Sequence, residues 1–155
     1  MIDTEPLQYR SARAEDLATV VDLIIDDPLG AGREATDGDL SPYAAALARI
    51  EADPSNDFIV VERGGEIVGC LQLTLIPGLS RNGITRAQIE SVRIAASERG
   101  RGLGKQVFEW AIAESKARGA GMVQLTTDNE RANAHRFYER LGFKATHVGM
   151  KLALT

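Results

Sequence analysis

The stretch Arg99-Gly100-Arg101-Gly102-Leu103-Gly104-Lys105 decides how this sequence is read. It lies between a β-rich run over 84–94 and an amphipathic run over 102–118, which predicts a loop that opens a helix. Glycines let a backbone come close to phosphate oxygens, and a helix N-terminus adds unbonded N–H groups and partial positive charge. Arg99, Arg101 and Lys105 add cationic side chains. A diphosphate is the natural occupant, although alternating glycines alone also suit a flexible turn. Two common phosphate motifs fail here. A dinucleotide fingerprint needs its third glycine where Lys105 stands. A P-loop needs a glycine where Arg99 stands and a Ser or Thr where Gln106 stands.

Outward from the loop, apolar runs alternate with helical patterns, as in a mixed sheet covered by helices. Toward the N-terminus, strands are expected over 7–10, 58–62, 66–76 and 84–94, with a glycine turn at Arg63-Gly64-Gly65 making a hairpin of two of them. Helices are expected over 14–25, where Leu17, Val20, Val21, Ile24 and Ile25 recur at three- and four-residue spacing, and over 41–52, with Ser41 as N-cap and Pro42 in the first turn. The Gly-, Asp- and Pro-rich residues 28–41 between them read as a long loop of the kind that shapes a substrate entrance. Toward the C-terminus, Leu103, Val107, Phe108, Ala111 and Ile112 form an apolar helix face that Gly119 ends. A strand over 122–126, a helix over 131–141 and a closing strand over 143–152 follow.

In this setting, Arg99 to Gly104 resembles the Arg/Gln-x-x-Gly-x-Gly/Ala signature of the GNAT acetyltransferases. The run Ala134-His135-Arg136-Phe137-Tyr138-Glu139-Arg140-Leu141-Gly142-Phe143 is similar to that family's second signature, an aromatic pair followed by Leu-Gly-Phe. Two signatures at proper separation are more specific than either alone. The resemblance is clear over 58–152, and the N-terminal third fits by its pattern of elements.

The resemblance implies one α/β (α+β) domain over 1–155 with the GNAT fold. That fold has a central mixed, mostly antiparallel sheet of six to seven strands with splayed central strands and about four flanking helices. It implies an N-acetyltransferase that moves an acetyl group directly from acetyl-CoA, its co-substrate, to a primary amine of a small molecule or protein. The alternative, from a different class, is a non-catalytic acyl-CoA-binding module.

By the same resemblance, the amides of Gly100, Arg101, Gly102, Leu103, Gly104 and Lys105 hold the diphosphate beside Arg99. Backbone groups of Val92 and Ile94 pair with the pantetheine arm, and Arg93, Asn129 and Phe137 complete the expected cofactor-binding set. Tyr138 falls on the family's acid tyrosine, since a phenol with pKa about 10 suits protonation of a thiolate leaving group. Glu90, on the strand before the loop and in phase with Val92 and Ile94, is the candidate base. A core tyrosine and a solvent-facing glutamate remain the plainer alternatives. His135 reads as a surface or capping residue, and Cys70 as a buried strand cysteine rather than an acyl-carrying nucleophile.

Composition limits the rest. A net charge of −4 disfavours a nucleic-acid partner, which would need clustered Lys and Arg. Cys70 is the only cysteine, so neither an intrachain disulfide nor a cysteine zinc cage is expected, and no metal is. The first ten residues lack an apolar signal region, and no apolar run approaches the roughly 18 residues of a membrane span. A cytoplasmic protein with no membrane partner is expected, its acceptor amine, acyl-chain preference and homodimerisation left open.

Overall fold

A computed structural model describes residues 5–27, 32–34, 37–128 and 132–155. The chain forms two compact units, Met1–Gln124 and Leu125–Thr155.

The first unit is built on a five-stranded sheet in the order β1-β2-β3-β4-β5, with β1 Gln8–Ser11, β2 Asn56–Arg63, β3 Glu66–Pro77, β4 Thr85–Ile94 and β5 Met122–Gln124. β1 to β4 pair antiparallel, and β5 joins β4 in parallel. Parallel pairing needs a crossover, which α3 (Leu103–Ala117) supplies between β4 and β5. Helices α1 (Leu17–Ile25) and α2 (Ser41–Ala52) lie between β1 and β2 in the chain. The hairpin of β2 and β3 closes at Arg63↔Glu66, with Gly64 at φ +58° and Gly65 at φ +80°, the left-handed pair that a two-residue hairpin turn demands.

Burial follows the periodicity. Ile59, Val60 and Val61 of β2 are consecutive and no more than 1% exposed, so that strand is covered on both faces. Leu17 and Val20 of α1 and Leu47 of α2 pack with Ala12 and Val60. Leu103, Val107, Phe108 and Ala111 bury one face of α3, joined by Ser115, whose hydroxyl donates to Ala111 O at 2.6 Å. Helix α2 starts at Ser41 itself, so Ser41 is not its N-cap; Leu40 holds that position, and the Ser41 N–H donates to the Asp39 carboxylate at 2.9 Å.

The second unit holds α4 (Ala132–Arg140), ended at Gly142 with φ +97°. The strand expected over 143–152 does not form: among the described residues this segment has no ladder partner. Its apolar residues alternate as a strand's do, but alternation without a hydrogen-bonded ladder does not make a sheet. The described sheet therefore has five strands, against the six to seven expected. Among the described residues no helix is long and apolar enough to cross a membrane.

Candidate functional site

The glycine loop opens α3 as its spacing predicts. Gly100 lies at φ +77° and Gly102, the N-cap of α3, at φ +79°, while Arg101 between them has negative φ. This alternation of hand turns successive N–H groups toward one concavity, an anion nest. The Gln106 N–H returns to Gly102 O at 3.3 Å, whereas the first helical amides have no intrahelical partner. Cβ atoms built at Gly100 and Gly102 meet nothing within 4 Å, so open space lies over both. Leu103, 1% exposed, anchors the loop to the core.

The loop's cations are largely engaged by carboxylates. Arg99 Nη2 donates to Asp26 Oδ2 at 3.0 Å and to Asp26 O at 3.1 Å, and Lys105 Nζ lies 3.0 Å from Glu109 Oε1. Arg93 donates from Nη1 to Val92 O at 3.0 Å and places Nη2 3.4 Å from Asp27 Oδ2. Two consecutive aspartates after α1 are thus held by two arginines of the β4 and loop region. Before the loop, the 3-10 turn Ala96–Glu98 places Glu98 against Arg63 at the end of β2.

A second feature is the edge of β4. Its parallel pairing with β5 covers only Arg86↔Met122 to Gln88↔Gln124, whereas β4 runs on to Ile94 with β3 as its strand partner. From Ile89 to Ile94 the side toward β5 carries no ladder among the described residues. On the other side, Cys70↔Arg93 and Gln72↔Glu90 leave Leu71 opposite both Ser91 and Val92. This is a β-bulge, with Ser91 at φ +56°. The alternation expected to put Glu90 in phase with Val92 and Ile94 does not run through it. Glu90 is exposed, and Val92 and Ile94 are half-buried.

Cys70 lies under the bulge, 0% exposed, with Sγ 3.7 Å from Ser91 O. Burial pushes its thiol up to about 12 despite the nearby Arg93 charge, so it stays protonated and is no nucleophile. Gly69 also serves this region, since a Cβ there would come within 2.9 Å of Arg93 O.

The family model described as acetyltransferase (GNAT) family matches residues 17–143. This chain belongs to that family. It is similar to the aminoalkylphosphonate N-acetyltransferase of Salmonella typhimurium, with 30% identity over 95% of this chain and 91% of that one. It is also similar to the glucosamine 6-phosphate N-acetyltransferase of Trypanosoma brucei brucei, with 28% identity over 99% of this chain and 100% of that one. A crystal structure of a Bacillus halodurans protein described as a transcriptional regulator shares 44% identity and superposes with a TM-score of 0.90, covering 96% of this chain and 100% of that one. The GNAT chain is an N-acetyltransferase, and enzymes of its family use acetyl-CoA.

The second GNAT signature lies in the second unit. Tyr138 is half-buried, edge-to-face with Phe137 at 5.5 Å and with Phe143 at 6.0 Å. Its carbonyl accepts from Leu141 N and Phe143 N, so the Leu-Gly-Phe turn folds back on the tyrosine that precedes it. His135 departs from the expected surface role: its Nε2 is buried and has no hydrogen-bond partner among the described residues. Asn129 lies outside the described residues. Among the described residues, no group of three or more His, Cys, Asp or Glu could hold a metal ion.

Sequence reasoning missed Ser91, Asp26, Asp27 and the Arg63–Glu98 pair. Nothing in the local sequence marks Asp26 and Asp27 as arginine partners. No local signal marks Ser91, because the bulge is defined by its pairing with β3.

Proposed function

We propose that this enzyme uses acetyl-CoA to acetylate the primary amine of a small molecule by direct transfer, residues 1–155 acting as one domain. The observation that carries the reading is the open nest at Gly100 and Gly102 on the N-terminus of α3. It is the kind of cradle a diphosphate fits: unbonded N–H groups, the helix's partial charge and space for oxygens close to the backbone. Acetyl-CoA, when bound, supplies the thioester whose acetyl group is transferred. In this proposal the backbone N–H groups from Gly100 to Lys105 hold the diphosphate beside Arg99, and Arg93 and Phe137 belong to the cofactor-binding set. Val92 and Ile94 offer backbone groups on the side of β4 that carries no ladder among the described residues, where an extended arm adds as a strand would.

An alkylammonium of pKa about 10 must lose a proton before it attacks. In this proposal Glu90 takes that proton, directly or through water; the amine nitrogen then bonds to the acetyl carbon as the carbon–sulfur bond breaks, the Tyr138 hydroxyl gives a proton to the departing sulfur, and the second proton that the nitrogen loses restores the tyrosine. The acceptors in the names of the two relatives, an aminoalkylphosphonate and glucosamine 6-phosphate, each combine an amine with a phosphorus oxyanion. Both names support a small-molecule acceptor over a protein amine.

The test is a panel of small primary amines, with and without a phosphate or phosphonate, assayed with acetyl-CoA by thiol release. Turnover of at least one, lowered about a hundredfold in kcat by Tyr138→Phe, is expected. Coenzyme A binding without turnover of any amine would leave only a binding module. Undiminished turnover in Tyr138→Phe would remove the proton donor from the scheme.

A further inference from the structure

Resting on the reading of a small primary amine as acceptor, we propose that Arg86 holds an oxyanion of that acceptor, so that the enzyme selects amines that also carry a phosphate, phosphonate or carboxylate group. The sheet of the first unit has unlike faces. On one, Leu71, Leu73, Ala87 and Ile89 are no more than 3% exposed. On the other, Val60 and Cys70 stand in register and are fully buried, but farther along the same strands that face turns polar. There Asn56, Thr74, Gln88 and Gln124 stand in register across β2, β3, β4 and β5, each half-buried, and Thr74 Oγ1 donates to Asn56 Oδ1 at 2.6 Å. A row of side-chain amides and a hydroxyl on central strands suits a polar molecule, since polar groups left without partners are costly to bury.

β4 carries opposite charges along this face. Arg86, Gln88 and Glu90 are alternate residues of the regular stretch before the Ser91 bulge, so they share a face, and Arg86 and Glu90 lie about 13 Å apart at roughly 3.3 Å per residue. Glu90 is the base proposed for the amine. Arg86 is then a cation for the far end of the acceptor, as Glu90 is an anion for its ammonium.

Arg86 also differs from the other half-buried arginines. Among the described residues, Arg10 faces Asp16 and Glu62, Arg63 faces Glu98 and Arg93 faces Asp27. Arg86 has no carboxylate at ion-pair distance among the described residues. Its Nη1 donates to Gln124 Oε1 at 3.2 Å, and its register neighbours Ile76 and Met122 are apolar. A guanidinium partly withdrawn from water among apolar neighbours is stabilised by an anion, which a neutral amide oxygen does not supply. The bond to Gln124 is diagonal, because Gln124 stands opposite Gln88, and it runs in the direction of Glu90. Gln124 Nε2 donates in turn to Gln88 Oε1 at 3.0 Å, and the Gln88 NH2 has no partner among the described residues. The Arg86 fork and the Gln88 amide thus present donors to one oxyanion.

The test compares acceptors that differ by the oxyanion: ethanolamine with its phosphate ester, and ethylamine with β-alanine, each assayed with acetyl-CoA on wild type, Arg86→Gln and Arg86→Lys. Wild type is expected to prefer the charged member of at least one pair. Arg86→Gln should cut that preference, the ratio of the two kcat/KM values, by about tenfold or more, through KM for the acceptor rather than kcat. Arg86→Lys, which keeps the charge without the fork, should recover part of it. The pair that responds says whether phosphate or carboxylate is held. Preference for the neutral member of both pairs, or a ratio untouched by Arg86→Gln, would overturn the assignment while acetylation of small amines stands. If none of these amines is turned over, ethylphosphonate and propionate, oxyanions without an amine, are titrated by calorimetry into protein saturated with coenzyme A. Binding of either that is about tenfold or more weaker in folded Arg86→Gln would keep the oxyanion site and count against the small-amine reading alone. No binding of either to wild type would overturn the site as well.

Discussion

Arg63 Nη1 donates to Glu98 Oε2 at 2.8 Å, and the two side chains are only 12% and 8% exposed. The pair ties the end of β2 to the turn from which the glycine loop departs. Removing one partner of a buried pair strands the other charge and costs about 3–5 kcal/mol. Arg63→Ala is therefore expected to lower stability by that order in urea unfolding. Arg63→Lys should recover part of it, although a compact ammonium does not reproduce the guanidinium fork. In folded Arg63→Ala protein, KM for acetyl-CoA should rise more than kcat falls, since the pair sets where the loop begins and not the chemistry.

Gly102→Ala separates the loop's shape from its stability. At φ +79° an alanine is strained by about 1–2 kcal/mol, while its Cβ meets no protein atom within 4 Å. The added methyl occupies the space over the nest. The expected outcome is a modest drop in Tm with coenzyme A affinity weakened about tenfold or more by calorimetry, since each 1.4 kcal/mol is a factor of ten. A variant that binds coenzyme A normally would move the diphosphate elsewhere.

Cys70 predicts a pH dependence of stability. Its thiol ordinarily ionises near 9.0 and in the folded protein is pushed up to about 12 by burial. Between these values the unfolded chain has lost the proton and the folded one keeps it. The unfolded state then binds fewer protons, and stability falls as pH rises. The slope from this one group approaches about 1.4 kcal/mol per pH unit. The check is urea unfolding at pH 8, 9 and 10 for wild type and Cys70→Ala, since other groups titrate alike in both. The difference between the two proteins should narrow as pH increases. In native protein near neutral pH the thiol should also resist aromatic disulfide reagents and react only after unfolding.

The glycine loop was legible because its signal is local: glycine spacing and the helix that follows specify a left-handed backbone at Gly100 and Gly102 without help from the rest of the chain. The hairpin at Gly64 and Gly65 was legible for the same reason. Ser91 was not, since a serine bears no mark of a positive φ until β3 is laid against it and Leu71 is found opposite two residues. Ion pairs behave alike: Arg99 and Asp26 are 73 residues apart, and only the tertiary fold makes them neighbours. The tail is the opposite case. Val148, Met150 and Leu152 alternate as a strand's residues do, yet a strand exists only with a partner, and pattern does not name one.

That Arg99–Asp26 contact also changes the electrostatic reading of the loop. A carboxylate 3.0 Å from the guanidinium cancels much of the attraction Arg99 would exert on a diphosphate, as Glu109 does for Lys105. Both pairs are exposed, so their energies are small and screened by salt. Asp26→Asn removes one negative charge beside the nest but keeps an oxygen that can accept from Arg99. Coenzyme A should then bind a few-fold more tightly at low ionic strength, about the factor expected of one exposed charge, and the gain should vanish in high salt. Were Asp26 needed to aim Arg99 at the ligand, Asp26→Ala would weaken binding while Asp26→Asn left it unchanged. Calorimetric titration of both variants with coenzyme A at two salt concentrations distinguishes charge cancellation from positioning, and Arg99→Ala, combined with each, should erase either effect.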